Sequence, residues 1–163
     1  MIEATDPRGV TVRLAEHALR VVSLVPSTTE TVAALAGTER LVGVTRFCVH
    51  PQPWVRTATK VGGTKDVDAE RVRTLQPDLI LGNCEENTRA IFDALEGVAP
   101  LWAAFPRTVD EAFEDVRVTA TLLGVEPAEA AWRARALAAR EALRERTAPL
   151  GRYLYLIWRG PWM

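Results

Sequence analysis

The sequence predicts an α/β fold: a Rossmann-like, mostly parallel sheet flanked by helices. Three observations carry that prediction. Short apolar runs alternate with helical stretches along the chain, the order of a strand-helix-strand fold. One run, Val21-Val22-Ser23-Leu24-Val25, is apolar apart from Ser23 and rich in β-branched valine, as strands covered on both faces are. Helix-start and helix-stop residues bracket the stretches between the runs.

Taken in order, Val10-Thr11-Val12-Arg13-Leu14 alternates with period two and reads as a small edge strand. Pro26 ends the run from Val21. Ser27-Thr28-Thr29-Glu30 reads as a capping box, with Ser27 as N-cap and Glu30 reaching back. That helix runs to Leu35 and stops at Gly37. Leu41-Val42-Gly43-Val44-Thr45 is a second strand. The connection from Arg46 to Val67 holds Pro51, Pro53, Gly62 and Gly63, so it is expected to be irregular, and its length marks it as functional. Asp68 caps a short helix to Leu75, and Gln76-Pro77-Asp78 turns into strand Leu79-Ile80-Leu81-Gly82.

A helix from about Glu86 to Leu95 precedes the apolar run Val98 to Trp102. Thr108-Val109-Asp110-Glu111 is another capping box, opening a helix that ends near Leu123 before Gly124. Pro127 suits the first position of a helix to Arg146, which would span ~30 Å. Trp132, Ala136, Ala139 and Leu143 share a stripe expected to be buried, and Glu129 with Arg133 is expected to pair on the surface. Tyr153 to Trp158 then reads as a fresh strand, the opening of a second lobe. The predicted organisation is an α/β ligand-binding lobe over residues 1–125, a long helix over 126–148, and the start of a truncated lobe over 149–163.

Composition narrows the function classes. With 163 residues, 48% hydrophobic and 25% charged, the chain suits one compact domain. A net charge of −1 argues against a general nucleic-acid surface. No apolar run reaches membrane-spanning length. Residues 1–20 lack the apolar core of an export signal, so the chain as written reads as cytoplasmic, or as lacking its signal. Cys48 and Cys84 are the only cysteines, which allows one bridge, two free thiols or metal ligation.

In such a sheet, ligands bind beyond the carboxyl ends of the strands. Pro26-Ser27-Thr28, the segment from Thr45 to His50, and the segment from Gly82 to Asn87 converge there, with Gly62-Gly63-Thr64-Lys65 nearby. If Cys48-Val49-His50 is extended, Cys48 and His50 face the same side and can meet one metal, with Glu85 or Glu86 adding a carboxylate. The plain alternative is a half-buried cysteine and a turn histidine. Asn83, Cys84, Glu85 and Glu86 read either as a solvated helix start or as ligand contacts. Trp158 and Arg159 read as core or as a stacking wall for a planar ligand.

Together these features resemble the helical-backbone periplasmic-binding-protein superfamily, the cobalamin-, siderophore- and haem-binding receptors that feed ABC importers. The residues carrying the resemblance are Arg20 to Glu30, Leu41 to Thr45, Val61-Gly62-Gly63-Thr64, Glu70-Arg71-Val72 and Leu75 to Ile80. The resemblance looks closest to the cobalamin-receptor branch. It implies two lobes joined by one long helix, here Pro127 to Arg146, with ligand between the lobes. It implies a non-catalytic role with no required cofactor, the transported ligand being a corrinoid, haem or other metal chelate. It places Phe47 where cobalamin receptors pack an aromatic on the corrin, and Thr64 and Asn83 where they can carry tryptophan. Polar groups at Asn83, Glu85 and Glu86 then suggest a more polar ligand. Glu70 matches the surface acid that docks the importer's membrane subunit, and the resemblance implies a periplasmic or cell-surface location. Two other readings stand beside it: a cytoplasmic metal- or cofactor-handling protein of the same fold, and an enzyme with a Cys48/His50 centre.

Overall fold

A computed structural model describes residues 1–146, 151, 152 and 154. They divide into two compact units, residues 1–130 and residues 131–163. The first unit holds six strands, β1 (Ile2–Thr5), β2 (Thr11–Leu14), β3 (Val21–Ser23), β4 (Leu41–Val44), β5 (Leu79–Asn83) and β6 (Leu101–Ala104). Its helices are α1 (Pro26–Ala36), α2 (Ala69–Thr74), α3 (Arg89–Ala94) and α4 (Val109–Leu123), followed by the start of α5 (Glu126–Arg146).

The central sheet is parallel throughout, in the order β4-β3-β5-β6. Its strands are short, so burial of nearly every residue stabilises them. Leu79, Ile80 and Leu81 are all fully buried, each worth about 1.5–3 kcal/mol of transfer free energy. Side chains alternate between two cores. Val21, Leu79 and Leu81 pack with Val32 of α1 and Leu122 and Leu123 of α4. Val22, Leu24 and Ile80 pack with Val72 of α2 and Ile91 of α3. The sheet is therefore the middle layer of three, and both of its faces read as apolar in sequence for that reason.

The expected edge strand at Val10 to Leu14 is β2. It pairs antiparallel with β1, a strand too short and too polar to announce itself in the sequence. The turn of this hairpin closes the free edge of β6. The buried Asp6 carboxylate accepts from Ala103 N at 3.3 Å, and Arg8 Nη2 donates to Leu101 O at 3.1 Å. An open sheet edge is a template for self-association, and here side chains occupy it.

Several helix expectations hold. Asp68 Oδ1 accepts from Arg71 N at 3.0 Å and caps α2. Thr108 Oγ1 accepts from Glu111 N at 3.1 Å and caps α4, while Glu111 Oε2 reaches one residue further back than a capping box requires and accepts from Arg107 N at 2.6 Å. Others need correction. Pro26 occupies the first turn of α1, so the N-cap is Val25 and Ser27 falls too late to cap. Asn83 ends β5, the segment Cys84 to Asn87 is a turn, and α3 starts only at Arg89, because side-chain hydrogen bonds to Asn83 hold those residues out of a helix. Glu129 is buried, not on the surface.

In the second unit, α5 continues to Arg146. Trp132 and Ala136 are half-buried there, whereas Ala139 and Leu143 are exposed, so the expected buried stripe ends at its first turns. The strand expected at Tyr153 to Trp158, and Trp158 and Arg159 with it, lie outside the described residues.

The turn before β5 carries a strained residue. Gln76 sits at φ 48, the left-handed region where the residue's own Cβ crowds the backbone. Arg20 donates to its carbonyl through Nε at 3.0 Å, and Asp78 receives Leu19 N and Arg20 N at 2.8 and 2.9 Å, which hold the turn in place. Gln76→Asn is therefore expected to raise stability by up to about 1 kcal/mol, read as a higher urea midpoint at unchanged slope.

Candidate functional site

The connection after β3 leads through α1 to β4 on one side, and the connection after β5 leads through α3 to β6 on the other. Diverging connections leave a crevice at the carboxyl ends of β3 and β5. Pro26, Ser27, Asn83 and the following turn all sit at these strand ends. Because no side chain caps α1, its first-turn amides remain available to an acceptor.

One buried side chain ties the crevice walls together. Asn87 Nδ2 donates to Thr64 O at 2.8 Å and approaches Leu24 O at 3.5 Å, while its Oδ1 accepts from Asn83 N at 2.9 Å. The turn after β3, the loop through Thr64 and the end of β5 thus share a single amide. Gly82 makes room for it: a Cβ there would lie 2.9 Å from Asn87 Oδ1. Asn83 Oδ1 in turn accepts from Glu85 N at 2.8 Å and Glu86 N at 3.3 Å, which leaves both carboxylates exposed.

The long connection closes the other wall. Arg46 N donates to Gly62 O at 2.8 Å. The Arg46 guanidinium forks onto Asp66 at 2.8 and 3.0 Å, crossing the backbone at Gly63, where a Cβ would lie 2.3 Å from Asp66 Oδ1. The hydrogen bond from Arg46 holds the Asp66 carboxyl below its ordinary range, so the pair is charged at neutral pH. The same guanidinium lies 5.0 Å from the centroid of the Phe47 ring, which is 51% exposed. Phe47 therefore presents a face to solvent on a fixed cationic support, and exposed Lys65 follows in the adjoining loop.

The shared Cys48/His50 face is not formed. Cys48 N bonds back to Thr45 O at 3.1 Å, so the segment turns where extension was expected. Cys48 is buried, its Sγ 3.1 Å from Thr29 Oγ1 and 3.3 Å from Thr45 Oγ1, while His50 is exposed. The Thr29 hydroxyl also lies 2.9 Å from Ser23 Oγ, so the thiol completes a buried polar cluster that joins β3, α1 and β4. Among the described residues, no three His, Cys, Asp or Glu side chains converge to hold a metal. Cys84 is separate, half-buried beside a cavity of about 450 Å³ that Arg8, Arg89 and Phe92 also line. Burial pushes its thiol up, partly offset by the charge of Arg8, which does not favour a nucleophilic thiolate. Glu70 is exposed on α2 and ion-paired with Arg73.

Three site features were not singled out in the sequence: Asn87, the Arg46–Asp66 fork and the Thr29 cluster. The last two join residues far apart in the chain, and spacing carries no signal for that. Asn87 had a faint one, as a polar residue closing the turn after a buried strand.

Comparison with known proteins agrees with this architecture. A family model described as "Periplasmic binding protein" matches residues 21–160. The vitamin B12-binding protein of Yersinia pestis is 31% identical over 103 residues, covering 63% of this chain and 36% of that protein. The crystal structure of a periplasmic haem-binding protein from Pseudomonas aeruginosa superposes with a TM-score of 0.68 and 28% identity, over 78% of this chain and 45% of that one. The periplasmic haem-binding protein RhuT from a Roseiflexus species, in apo form, gives 0.67 and 26% identity over 80% of this chain and 52% of that one. The chain thus spans roughly a third to a half of the length of these relatives. Among the described residues no helix is long and apolar enough to cross a membrane. With the sheet order, the crevice and a match running from the first residue of β3 past α5, the chain belongs to the periplasmic binding protein family.

Proposed function

We propose that this chain forms one wall of the capture site for a planar metal chelate, corrinoid or haem, in the substrate-binding component of an ABC importer. It acts by binding and delivery, without catalysis. The observation that carries this reading is the exposed Phe47 ring on its pinned guanidinium, at the carboxyl end of β4. Aromatic faces stack on macrocycles, and a ring whose support is fixed loses little freedom on binding. Lys65, Glu85 and Glu86 meet the polar substituents of the chelate, Pro26 lines the site beside Ser27, whose backbone N–H in the first turn of α1 has no side-chain cap, and Asn83 and Thr64 line the floor. That relatives bind vitamin B12 or haem supports the ligand class. Glu70 is the docking acid for a basic membrane subunit, exchanging Arg73 for a partner's cation. The long helix α5 leads to the second wall.

The test is visible-absorption titration of the purified chain with cyanocobalamin and with ferric haem. Saturable one-to-one binding is expected, weakened about tenfold by Phe47→Ala. Unchanged affinity in that variant, with the fold intact by circular dichroism, would remove Phe47 from the site. Binding of neither macrocycle would refute the ligand class for this chain.

A further inference from the structure

Past the carboxyl end of β6, beside α4, lies a cavity of about 530 Å³ that touches none of the residues assigned to chelate capture. Trp102, Phe105, Pro106 and Val118 give it apolar walls, and Glu111 and Asp115 bring carboxylates. Most charges around it are already engaged. Glu111 accepts from Arg107 N at 2.6 Å, Glu114 pairs with Arg117 at 2.5 Å, and the Arg107 guanidinium lies 5.6 Å from the Phe105 centroid.

Glu111 and Asp115 each accept one N–H and enter none of the cavity's ion pairs among the described residues, and Asp115 is the more buried of the two. It is half-buried, and its Oδ1 accepts from Trp102 Nε1 at 2.7 Å. Among the described residues no ion pair reaches it. Burial pushes its carboxyl up, with the indole hydrogen bond opposing that. A carboxylate drawn out of water without a counter-charge is costly, and aromatic faces attract cations. The indole hydrogen bond fixes the carboxylate at the wall of a cavity that the Trp102 and Phe105 side chains also line.

We propose that this cavity binds a small organic cation, an alkylammonium or alkylguanidinium group, with Asp115 as counter-ion and Trp102 and Phe105 as its aromatic walls. The site is independent of the chelate reading and stands or falls separately from it.

The test follows the Trp102 indole N–H resonance in ¹⁵N-labelled chain during titration with n-butylammonium and n-butylguanidinium. n-Butanol and butyrate serve as neutral and anionic counterparts. A saturable shift with the cations, and none with the counterparts, is expected. Asp115→Asn keeps an oxygen acceptor for the indole and is expected to weaken cation binding about tenfold or more. Acetyl-arginine methylamide separates the sources: tighter binding than n-butylguanidinium points to a partner's side chain, weaker binding to a free cation. The proposal is overturned if n-butanol or butyrate binds as well as the cations, if neither cation shifts the resonance, or if folded Asp115→Asn binds like the parent. Should that variant not fold, the preference for cation over n-butanol in the parent chain still decides.

Discussion

Asp6→Ala is expected to destabilise the chain by roughly 3–5 kcal/mol, the cost of breaking a buried ion pair by removing one partner. Asp6 Oδ1 accepts from Arg8 N at 2.9 Å and Val10 N at 3.2 Å, and Oδ2 accepts from Arg8 Nε at 2.8 Å and Ala103 N at 3.3 Å. Its side chain is fully buried, whereas that of Arg8 keeps 24% exposure, so the arginine can find water and the amide of fully buried Ala103 cannot. The variant leaves the Ala103 amide without a partner and frees the edge of β6. Urea denaturation reads the stability. A rise in light scattering with concentration reads the uncovered edge. Arg8→Ala is expected to cost a comparable amount, because it strands the carboxylate, and the double variant is expected to cost clearly less than the sum. A loss below about 1 kcal/mol for Asp6→Ala would show that the hairpin turn does not secure the sheet edge.

The same clamp shows where sequence reading ends. The parallel sheet was legible because Val21 to Val25, Ser23 apart, and Leu79 to Leu81 are apolar without alternation, and only a layer covered on both faces asks for that. Asp68 and Thr108 were legible as caps because capping is a contact three residues long. Ser27 was misread because its neighbour Pro26 also suits a helix start, and the proline took the first turn. Cys48 and His50 were paired on the premise of an extended strand, and a backbone hydrogen bond from Cys48 to Thr45 removes that premise. The Asp6 contact to Ala103 and the Arg46 fork onto Asp66 close over 97 and 20 residues of chain, and no local pattern encodes them. The resemblance placed Phe47 at the mouth of the site. Its guanidinium support is visible only in three dimensions.

Asn87 tests whether the crevice is a rigid platform or a set of independent loops. Asn87→Ala strands Asn83 N, Thr64 O and Leu24 O, and is expected to cost roughly 2–4 kcal/mol. It is also expected to weaken cobalamin or haem binding by about tenfold, through loss of the fixed spacing between the loop at Thr64 and the turn at Asn83. Hydrogen exchange should accelerate in both segments together, since one amide holds both. Asn87→Asp sharpens the argument. A carboxylate there still accepts from Asn83 N but has no proton for the carbonyls of Thr64 and Leu24, and its charge faces their oxygens. Its folded-state pKa must then rise above the unfolded value, so the variant's stability is highest at low pH and falls as pH passes upward through that raised value. The parent, with a neutral amide at this position, should not show that loss. A pH-independent deficit in Asn87→Asp would mean that the donor bonds to Thr64 and Leu24 do not hold the loops. Lost binding with unchanged stability and exchange in Asn87→Ala would make Asn87 a ligand contact instead of the tie between the walls.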